Sequence, residues 1–145
     1  MYKIQFAQNK ETIQRIIALR YDVLRKPWNK PIETATDELE EQSVNAYIEV
    51  NDEIVACARL QNNGNGMAQI RFMAVAQNQQ GKGLGKLIVE ALEQEAKKQN
   101  VKSIQLQARE NAVEFYKACG YTIKEKTVLL WDLIQHFLME KNSFS

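Results

Sequence analysis

The chain has 145 residues, of which 19 are Lys or Arg and 18 are Asp or Glu, so its formal net charge is +1. A chain of this length suits one domain, and we expect residues 1–145 to form a single domain with one hydrophobic core. The near balance of charges creates no general field that would attract nucleic acid or an anionic membrane, so neither is expected as a partner.

Targeting segments and metal clusters are also not expected. The amino-terminal segment lacks the apolar core of a signal peptide, which spans about seven residues, and no run of about eighteen apolar residues occurs. We therefore expect a soluble, cytoplasmic protein. Cys57, Cys119 and the single histidine, His136, are too few for a disulfide framework or a zinc cluster, so reduced, packed thiols and no metal are predicted.

The chain begins with a strand-like pattern and continues into a helix. Alternating residues over positions 2–7 predict a first strand, and Asn9 is suited to cap the following helix. Pro27 should end that helix. Residues 26–42 hold both prolines and many acids, which indicates a loop with one short helix near residues 38–42. The apolar positions of the first helix are Ile13, Ile16, Ile17, Leu19 and Leu24.

Three further strands are predicted in the middle of the chain. Strands at residues 44–50 and 54–60 flank a compact hairpin turn at residues 51–53, and an Asn- and Gly-rich turn at residues 62–66 precedes a strand at residues 67–76. Strands joined by such short turns pair antiparallel, so these three should form a meander.

After residue 76 the order changes to helix and then strand, which requires a parallel crossover. An amphipathic helix is predicted over residues 84–98, and a strand follows at residues 103–108. One face of this helix is apolar and should be buried against the sheet. Its apolar positions are Leu84, Leu87, Ile88, Ala91, Leu92 and Ala96.

Residues 80–86 read Q-G-K-G-L-G-K and lie between the central strand and this helix, an arrangement that builds a phosphate-binding cradle. A glycine-rich turn that opens a helix aims free backbone N–H groups at one point, and the helix dipole favours negative charge there. The three glycines keep side chains away from a diphosphate, and positive φ is expected somewhere in the turn. Lys82 and Lys86 could neutralise a pyrophosphate, with plain solvation as the alternative.

The spacing of the glycines distinguishes between kinds of glycine-rich loop. A P-loop needs four residues between its first glycine and the Gly-Lys pair, followed by Ser or Thr, whereas here the gap is three residues and a leucine follows. A dinucleotide-binding fingerprint needs a third glycine where Lys86 stands, so it fits weakly. Gln80, Gly83 and Gly85 satisfy the pattern Gln/Arg-x-x-Gly-x-Gly/Ala.

A second motif agrees with this loop. Residues 111–121 read N-A-V-E-F-Y-K-A-C-G-Y. The loop and this run together resemble the acetyl-CoA loop and the N-A-x-x-F-Y-x-x-x-G-F/Y signature of the GNAT superfamily of N-acetyltransferases, specifically over residues 67–125. The resemblance implies an α/β (α+β) fold of the GNAT type. Such a fold has a single mixed, mostly antiparallel sheet of six to seven strands, about four flanking helices, and a central parallel pair that splays around the cofactor.

The resemblance also implies which residues bind acetyl-CoA. Backbone groups of the central strand would contact the pantetheine arm, and the glycine loop would hold the diphosphate. Asn111 would hydrogen-bond the arm, and it could also cap a helix at residues 112–118. The expected cofactor-binding residues are Met73, Ala74, Val75, Gln80, Gly81, Lys82, Gly83, Leu84, Gly85, Lys86, Asn111 and Tyr116.

Acetyl transfer to an amine needs a group that takes the amine proton and an acid for the leaving thiolate. The resemblance places Tyr116 beside the sulfur, where a phenol of pKa about 10 can protonate a thiolate whose acid has a pKa near 8.5; a packed core aromatic is the alternative. His136 is a candidate base, with a packed strand histidine as the alternative. We interpret residues 26–42 as an acceptor-side lid. Any one of its acidic residues could be the general base, but a solvated surface charge is favoured for each of them. These acids are Glu33, Asp37, Glu38, Glu40 and Glu41.

Arginines offer one hint about the acceptor. Arg20, Arg59 and Arg71 could clamp a carboxylate if they face the acceptor groove. Arg71 interrupts an apolar strand, so a local acidic partner explains it equally well. Cys119 is expected to pack under the cofactor helix.

The main hypothesis is an acetyl-CoA-dependent N-acetyltransferase that transfers acetyl directly, in a ternary complex, to a primary amine of a small molecule, peptide or protein. A non-catalytic, regulatory acyl-CoA-binding module is the alternative, and a nicotinamide or flavin dinucleotide domain is a third interpretation. A homodimer is compatible with the sequence, which leaves the acceptor unspecified.

Overall fold

A seven-stranded sheet with strand order β1-β2-β3-β4-β5-β7-β6 organises the structure. This computed structural model describes residues 2–142, so Met1 and residues 143–145 of the expected domain lie outside the described residues. All neighbouring strands pair antiparallel except β4 and β5, which are parallel. The strands are β1 (Ile4–Phe6), β2 (Val44–Val50), β3 (Glu53–Gly64), β4 (Met67–Val75), β5 (Ser103–Arg109), β6 (Thr122–Leu130) and β7 (Ile134–Asn142).

Three α-helices and several shorter helical segments flank this sheet. The α-helices are α1 (Lys10–Arg20), α2 (Leu84–Lys98) and α3 (Val113–Ala118). A π-helical turn at Tyr21–Arg25 continues α1, and the 3-10 segments are Lys26–Trp28, Ile32–Ala35, Glu40–Gln42, Gln77–Gln79 and Glu110–Ala112. This architecture confirms the predicted mixed, mostly antiparallel sheet with its flanking helices and its parallel pair.

The start of α1 is fixed by the predicted cap, because the Asn9 side chain accepts a 2.8 Å hydrogen bond from the Thr12 N–H group. Its end differs slightly from the prediction. The α-helix proper stops at Arg20, but the chain stays helical through the π turn and a 3-10 turn that contains Pro27. Proline fits there because the first turn of a helix needs no N–H donor.

The two faces of the sheet carry different cores. On one face α2 and α3 pack on the central strands, and this larger cluster includes Leu84, Ile88, Ile104, Leu106 and Tyr116, all nearly inaccessible. The opposite face is covered by α1, whose Ile16 and Leu19 pack with Tyr47, Cys57 and Ala74. Because side chains alternate along a strand, neighbouring residues of β4 and β5 serve opposite faces.

The parallel pair opens into a fork, as expected for a GNAT-type fold. Pairing of β4 with β5 runs from Met67–Ser103 to Ile70–Leu106, and both strands continue beyond that point. Next to the fork Phe72 adopts a φ of +57°, and the register between β3 and β4 shifts between Cys57 and Arg59. A positive φ is uncommon for a bulky residue, so this bulge is a specific feature that bends β4 away from β5.

Candidate active site

A cavity of about 280 Å³ occupies the fork between β4 and β5. Both sides of the sheet contribute to its lining, which includes Tyr116 from the face that carries α2 and α3 and Arg25 from the segment after α1. Six of its lining residues are Arg71, Phe72 and Met73 of β4, Leu106 and Arg109 of β5, and His136 of β7. The cavity therefore lies between the predicted cofactor side of the sheet and the opposite side.

The glycine loop leads into α2 with the geometry of an anion cradle. Gly81 and Gly83 both have a φ of +80°, which confirms the expected positive φ, and Gly83 is the N-cap of α2. The first bond of α2 joins the Leu87 N–H group to the Gly83 carbonyl at 3.3 Å, so the amides of residues 84–86 precede the hydrogen-bonded part of the helix. A Cβ atom at Gly81 or Gly83 would meet nothing within 4 Å, so the loop surface is open to a phosphate group.

Gly85 differs from the other two glycines. A Cβ atom there would lie 3.0 Å from Phe115 Cζ, so this glycine allows α2 to approach α3 closely. Helix packing is thus one reason for the glycine, beside the predicted role of leaving room for a diphosphate. Elsewhere in the loop, Gln80 Nε2 donates to the Val75 carbonyl at 3.2 Å, and Lys82 Nζ donates to Gln79 Oε1 at 3.2 Å.

The predicted pantetheine-binding residues of β4 have different surroundings. Met73 lines the cavity. Ala74 is buried in the cluster under α1 and pairs with Cys57, whereas Val75 pairs with Ala56 of β3. Beyond the fork, the backbone N–H and C=O groups of β4 and β5 do not hydrogen-bond to each other. They can therefore bind the amide groups of an extended ligand.

Asn111 is exposed and lies in the 3-10 turn that precedes α3. The prediction that it caps α3 is wrong, because Ala112 occupies the N-cap position and no side chain caps the helix. The turn at Glu110–Ala112 brings the chain into α3 without needing a side-chain acceptor. Its predicted role in holding the cofactor arm stays a prediction.

Tyr116 is buried, with 6% of its surface exposed, and it lines the cavity. Its ring packs edge to face against Phe115, at 4.9 Å between centroids, and against Tyr121, at 6.0 Å. Burial, with a smaller contribution from Cys119, raises the pKa of the Tyr116 phenol above its ordinary value of 10. The hydroxyl therefore stays protonated in the neutral range.

His136 lies across the cavity on β7, opposite Arg109 of β5. The side chain is buried, and Nδ1 is 3.0 Å from the Ile134 carbonyl oxygen, so a proton on Nδ1 leaves Nε2 as the acceptor nitrogen. Burial lowers the pKa of His136 below 6.5, the Ile134 carbonyl opposes this, and the charges of Arg109 and Arg25 reinforce it. The imidazole is thus neutral at physiological pH.

The predicted lid is tied down by a buried ionic network. Arg20 Nη2 donates to Glu40 Oε2 at 3.0 Å, and Arg59 donates to Glu40 at 3.2 Å and to Asp37 at 2.9 Å. Arg71 Nη1 donates to Asp37 Oδ2 at 2.8 Å. Burial alone would raise the pKa of Glu40, but hydrogen bonds and charge from Arg20, with help from Asn45 and Thr36, lower it to about 2.

This network corrects two expectations. Glu40 and Asp37 are ion-paired structural groups and not solvated lid charges, because the folded lid inserts them between arginines. Arg20 and Arg59 have fully buried side chains that pair with Glu40 and Asp37, so they do not clamp an acceptor. Arg71 has a local acidic partner, Asp37, which was one of its two expected explanations. Its side chain is nevertheless 37% exposed and lines the cavity.

Sequence reasoning missed Arg25, Arg109 and Phe72. Four guanidinium groups surround the Phe72 ring, with those of Arg20, Arg59, Arg71 and Arg25 lying 4.5, 4.9, 4.6 and 5.8 Å from its centroid. A signal for Arg109 existed, since alternation along β5 places it on the face opposite the apolar side chains of that strand. Nothing in the sequence singles out Phe72, whose role follows from the bulge.

The forked sheet, the glycine loop at the start of α2 and the cavity in the fork are the features expected of an acetyltransferase of the GNAT type. A family model described as acetyltransferase (GNAT) family matches residues 13–121. The chain therefore belongs to the GNAT acetyltransferase family, and binding of acyl-CoA is a trait of that family.

Individual relatives agree with this assignment. The Bacillus subtilis (strain 168) protein YjcF, an uncharacterized N-acetyltransferase, is 29% identical over 97% of this chain and 99% of its own. The crystal structure of Escherichia coli ElaA matches with a TM-score of 0.83 at 18% identity, over 98% of this chain and 100% of that one. A Bacillus subtilis acetyltransferase in complex with CoA matches with a TM-score of 0.79 at 16% identity, over 99% of each chain.

No helix within residues 2–142 is long and apolar enough to cross a membrane. Over the same residues no group of three or more His, Cys, Asp or Glu side chains could hold a metal ion.

Proposed function

We propose that this protein is an N-acetyltransferase that moves an acetyl group from acetyl-CoA to a primary amine by direct transfer in a ternary complex. The observation that carries the proposal is the cavity in the fork, which is lined by Tyr116 from the side of α2 and α3 and by His136 of β7. Donor and acceptor can thus meet inside the sheet from opposite faces. When bound, acetyl-CoA would supply an activated acetyl thioester.

The glycine loop is suited to hold the diphosphate. Its free amides at residues 84–86 stand at the positive end of the α2 dipole, and the open surface at Gly81 and Gly83 leaves them accessible. Lys82 and Lys86 are both exposed and add positive charge beside this loop. These residues would bind and orient the donor without taking part in bond making.

Two side chains in the cavity are suited to handle protons. Tyr116 holds a proton on its phenol throughout the neutral range, so it would donate to a leaving thiolate. His136 is neutral there, and its Nε2 could accept a proton from the amine acceptor, directly or through water. The pKa shifts of the two groups are opposite in sign, and each stabilises the protonation state that its role requires.

Direct transfer is favoured over a covalent relay because neither cysteine is a suitable nucleophile. The Cys57 thiol is fully buried, and burial raises its pKa to about 12. Burial also raises the pKa of the Cys119 thiol. A thiol that stays protonated at neutral pH is a poor nucleophile, so the amine itself should attack the acyl group.

A binding experiment and a turnover experiment test the proposal together. Acetyl-CoA should raise the melting temperature, and thiol release should follow when polyamines, amino acids, aminoglycosides or lysine peptides are added. Stabilisation by acetyl-CoA without thiol release from any amine would instead support the regulatory acyl-CoA-binding module. The dinucleotide interpretation predicts stabilisation by NAD(H) or FAD, but a doubly wound parallel sheet is not the fold observed.

Location and assembly stay predictions. A cytoplasmic location, a single domain over the whole chain and a homodimer are compatible with the proposed activity. Fractionation of cells and light scattering of the purified protein would test the location and the assembly.

A further inference from the structure

Three arginines line the same cavity: Arg25 from the π turn, Arg71 from β4 and Arg109 from β5. We propose that they form an anion site, and that the acceptor is a small amine that also carries a carboxylate. The amine would enter the fork while the carboxylate binds these guanidinium groups. This inference rests on the proposed acetyl transfer and specifies its substrate class.

The hydrogen bonds of Arg25 and Arg109 leave most of their donors unused. Arg25 donates from Nε to the Thr34 carbonyl at 3.2 Å and from Nη1 to the Leu24 carbonyl at 3.1 Å. Arg109 donates from Nη2 to the Leu24 carbonyl at 3.0 Å. Each guanidinium has five N–H groups, so donors remain available for a ligand. Neutral backbone oxygens orient the two side chains without neutralising their charge.

Positive charge exceeds negative charge around this part of the cavity. Asp37 is shared between Arg59 and Arg71, and Glu40 between Arg20 and Arg59. Within residues 2–142, Arg25 and Arg109 pair with no carboxylate. An arginine as buried as Arg25, which is 9% exposed over the whole residue, ordinarily has an anionic partner.

Burial and neighbouring positive charges both act on the pKa of Arg25, whereas burial alone acts on that of Arg109. Burial, followed by the charges of Arg109, Arg71 and Arg20, lowers the pKa of Arg25 to about 10. Burial also lowers the pKa of Arg109. Both groups remain charged at neutral pH, so an arriving carboxylate would relieve repulsion and would accept paired hydrogen bonds in the planar geometry that arginine offers.

Position in the fold fits an acceptor and not the cofactor. Ile104, Leu106 and Ala108 of β5 belong to the core under α2, so Arg109 projects to the other face. Arg71 is held on that face by Asp37 of the segment that follows α1. The glycine loop leads into α2 on the first face, which separates the predicted diphosphate site from the arginines.

The size of the cavity favours a small molecule. Its volume of about 280 Å³ lies just below the range for ligand sites, roughly 300–1,000 Å³. Trp131, in the turn between β6 and β7, covers the outer side of Arg25, with the guanidinium 5.3 Å from its ring. An amino acid is a small molecule that supplies both an amine and a carboxylate.

The test compares amines that differ only in the carboxylate. Lysine and cadaverine, ornithine and putrescine, and glycine and glycinamide are three such pairs. Acetylation is followed by thiol release, and binding to the CoA-loaded protein is measured by calorimetry. We expect the carboxylated member of at least one pair to have a kcat/KM and an affinity roughly tenfold or more above those of its partner.

Variants connect this preference to the arginines. Arg109→Gln and Arg71→Gln should each remove most of the preference, while the Kd for acetyl-CoA stays within about twofold of that of the unmodified protein. Arg25→Lys keeps the charge and loses the planar fork, and it should weaken the preference less than Arg25→Gln. Arg15→Gln is the matched control, because this arginine of α1 lies outside the cavity lining and pairs with Glu49 at 3.5 Å.

Thiol release and calorimetric binding together distinguish failure of the anion site from failure of the acetyl transfer. Equal or better turnover of the decarboxylated and amidated amines would overturn the anion site and leave acetyl transfer standing. Carboxylate-dependent binding that the arginine variants abolish, without thiol release, would support the anion site and contradict the proposed activity. Absence of both turnover and any carboxylate-dependent binding would overturn the inference and the activity together.

Discussion

Gly85 and Phe115 are in such close contact that a Cβ atom at residue 85 would lie 3.0 Å from Phe115 Cζ and 3.2 Å from Cε1. This contact joins the start of α2, which carries the glycine loop, to α3, which carries Tyr116. Since the Phe115 ring also packs edge to face on Tyr116, a displacement of one ring would move the other. The position of the predicted acid thus depends on a glycine in the predicted cofactor loop.

Gly85→Val should destabilise the fold by about 1–3 kcal/mol, because overpacking forces the Phe115 ring to move. The measurement is urea unfolding of the protein without ligand. Glu90→Val, at an exposed position of the same helix, is the control and should lose about 0.5 kcal/mol through β-branched helix propensity alone. Equal losses in the two variants would contradict the role of the ring contact.

Gly83→Glu should raise the Kd for CoA by at least roughly tenfold, because it places bulk and negative charge at the predicted diphosphate cradle. Gly64→Glu is a matched control: Gly64 has a φ of +85° against +80° for Gly83, and both positions have open space around them. Both variants should lose a similar stability of about 1–2 kcal/mol through strained backbone. Retained CoA binding by Gly83→Glu, measured by calorimetry, would relocate the cofactor site.

Tyr116→Phe should lower kcat by roughly a hundredfold while the Kd for acetyl-CoA changes little, because only the proton donor is removed. Tyr121→Phe is the comparison, since its hydroxyl donates to Glu93 at 2.9 Å within the core. That variant should lose about 1–2 kcal/mol of stability and keep most of its turnover at a temperature where it is folded. An unchanged kcat for Tyr116→Phe would remove this residue from the reaction.

If His136 is the general base, the pH profile of kcat/KM should have an acidic limb. The neutral imidazole is the active form, and burial lowers the pKa of His136 below 6.5, so activity should hold through pH 7 and fall only at more acidic values. The stability that this group contributes has the same sign: it is complete above pH 6.5 and is lost as the pH falls through the folded-state pKa. His136→Gln should abolish the limb and lower kcat, and a limb that survives the substitution would assign the titration to another group.

Glu40→Gln should destabilise the protein by about 3–5 kcal/mol, because Arg20 and Arg59 would be left buried without their shared carboxylate. The adjacent Glu41→Gln should cost less than about 1 kcal/mol, since its pair with Lys10 is 3.9 Å long and exposed. With a folded-state pKa of about 2 against an ordinary 4.5, the contribution of Glu40 is complete above pH 4.5 and is lost as the pH falls toward 2. Denaturant unfolding at pH 7 and pH 3 should therefore show a smaller difference between the unmodified protein and Glu40→Gln at the lower pH.

The sequence was most informative where local physics decides the structure. The bounds of β2 and α2 agree with prediction, because hairpin turns and a glycine loop mark their ends and periodicity marks their length. Asn9 caps α1 for the same local reason. The turn before α3 was misassigned because a 3-10 segment satisfies its backbone and leaves Asn111 without a capping role.

Long-range charge pairing could not be predicted in the same way. Nothing in the spacing of Glu40 shows that it meets Arg20 and Arg59, because those residues are brought together only when the lid packs on the sheet. The cationic lining of the cavity was only partly predictable: alternation along β5 gives the face of Arg109, but its register with His136 of β7 and the π turn that positions Arg25 appear only in the folded structure. The residues that would select an acceptor are thus set by tertiary structure, whereas the predicted cofactor loop is set by a local motif.

The fork gives β4 and β5 an inner edge each, in the middle of the molecule. Beyond Ile70 and Leu106 these edges do not pair with each other. A slender chain with amides of its own can align there like a short guest strand, whereas a second folded protein cannot reach between them. An unpaired strand at the outer edge of a sheet can pair with another protein molecule and cause aggregation. The two inner edges of the fork are inaccessible to another folded chain, but a small molecule can still bind them.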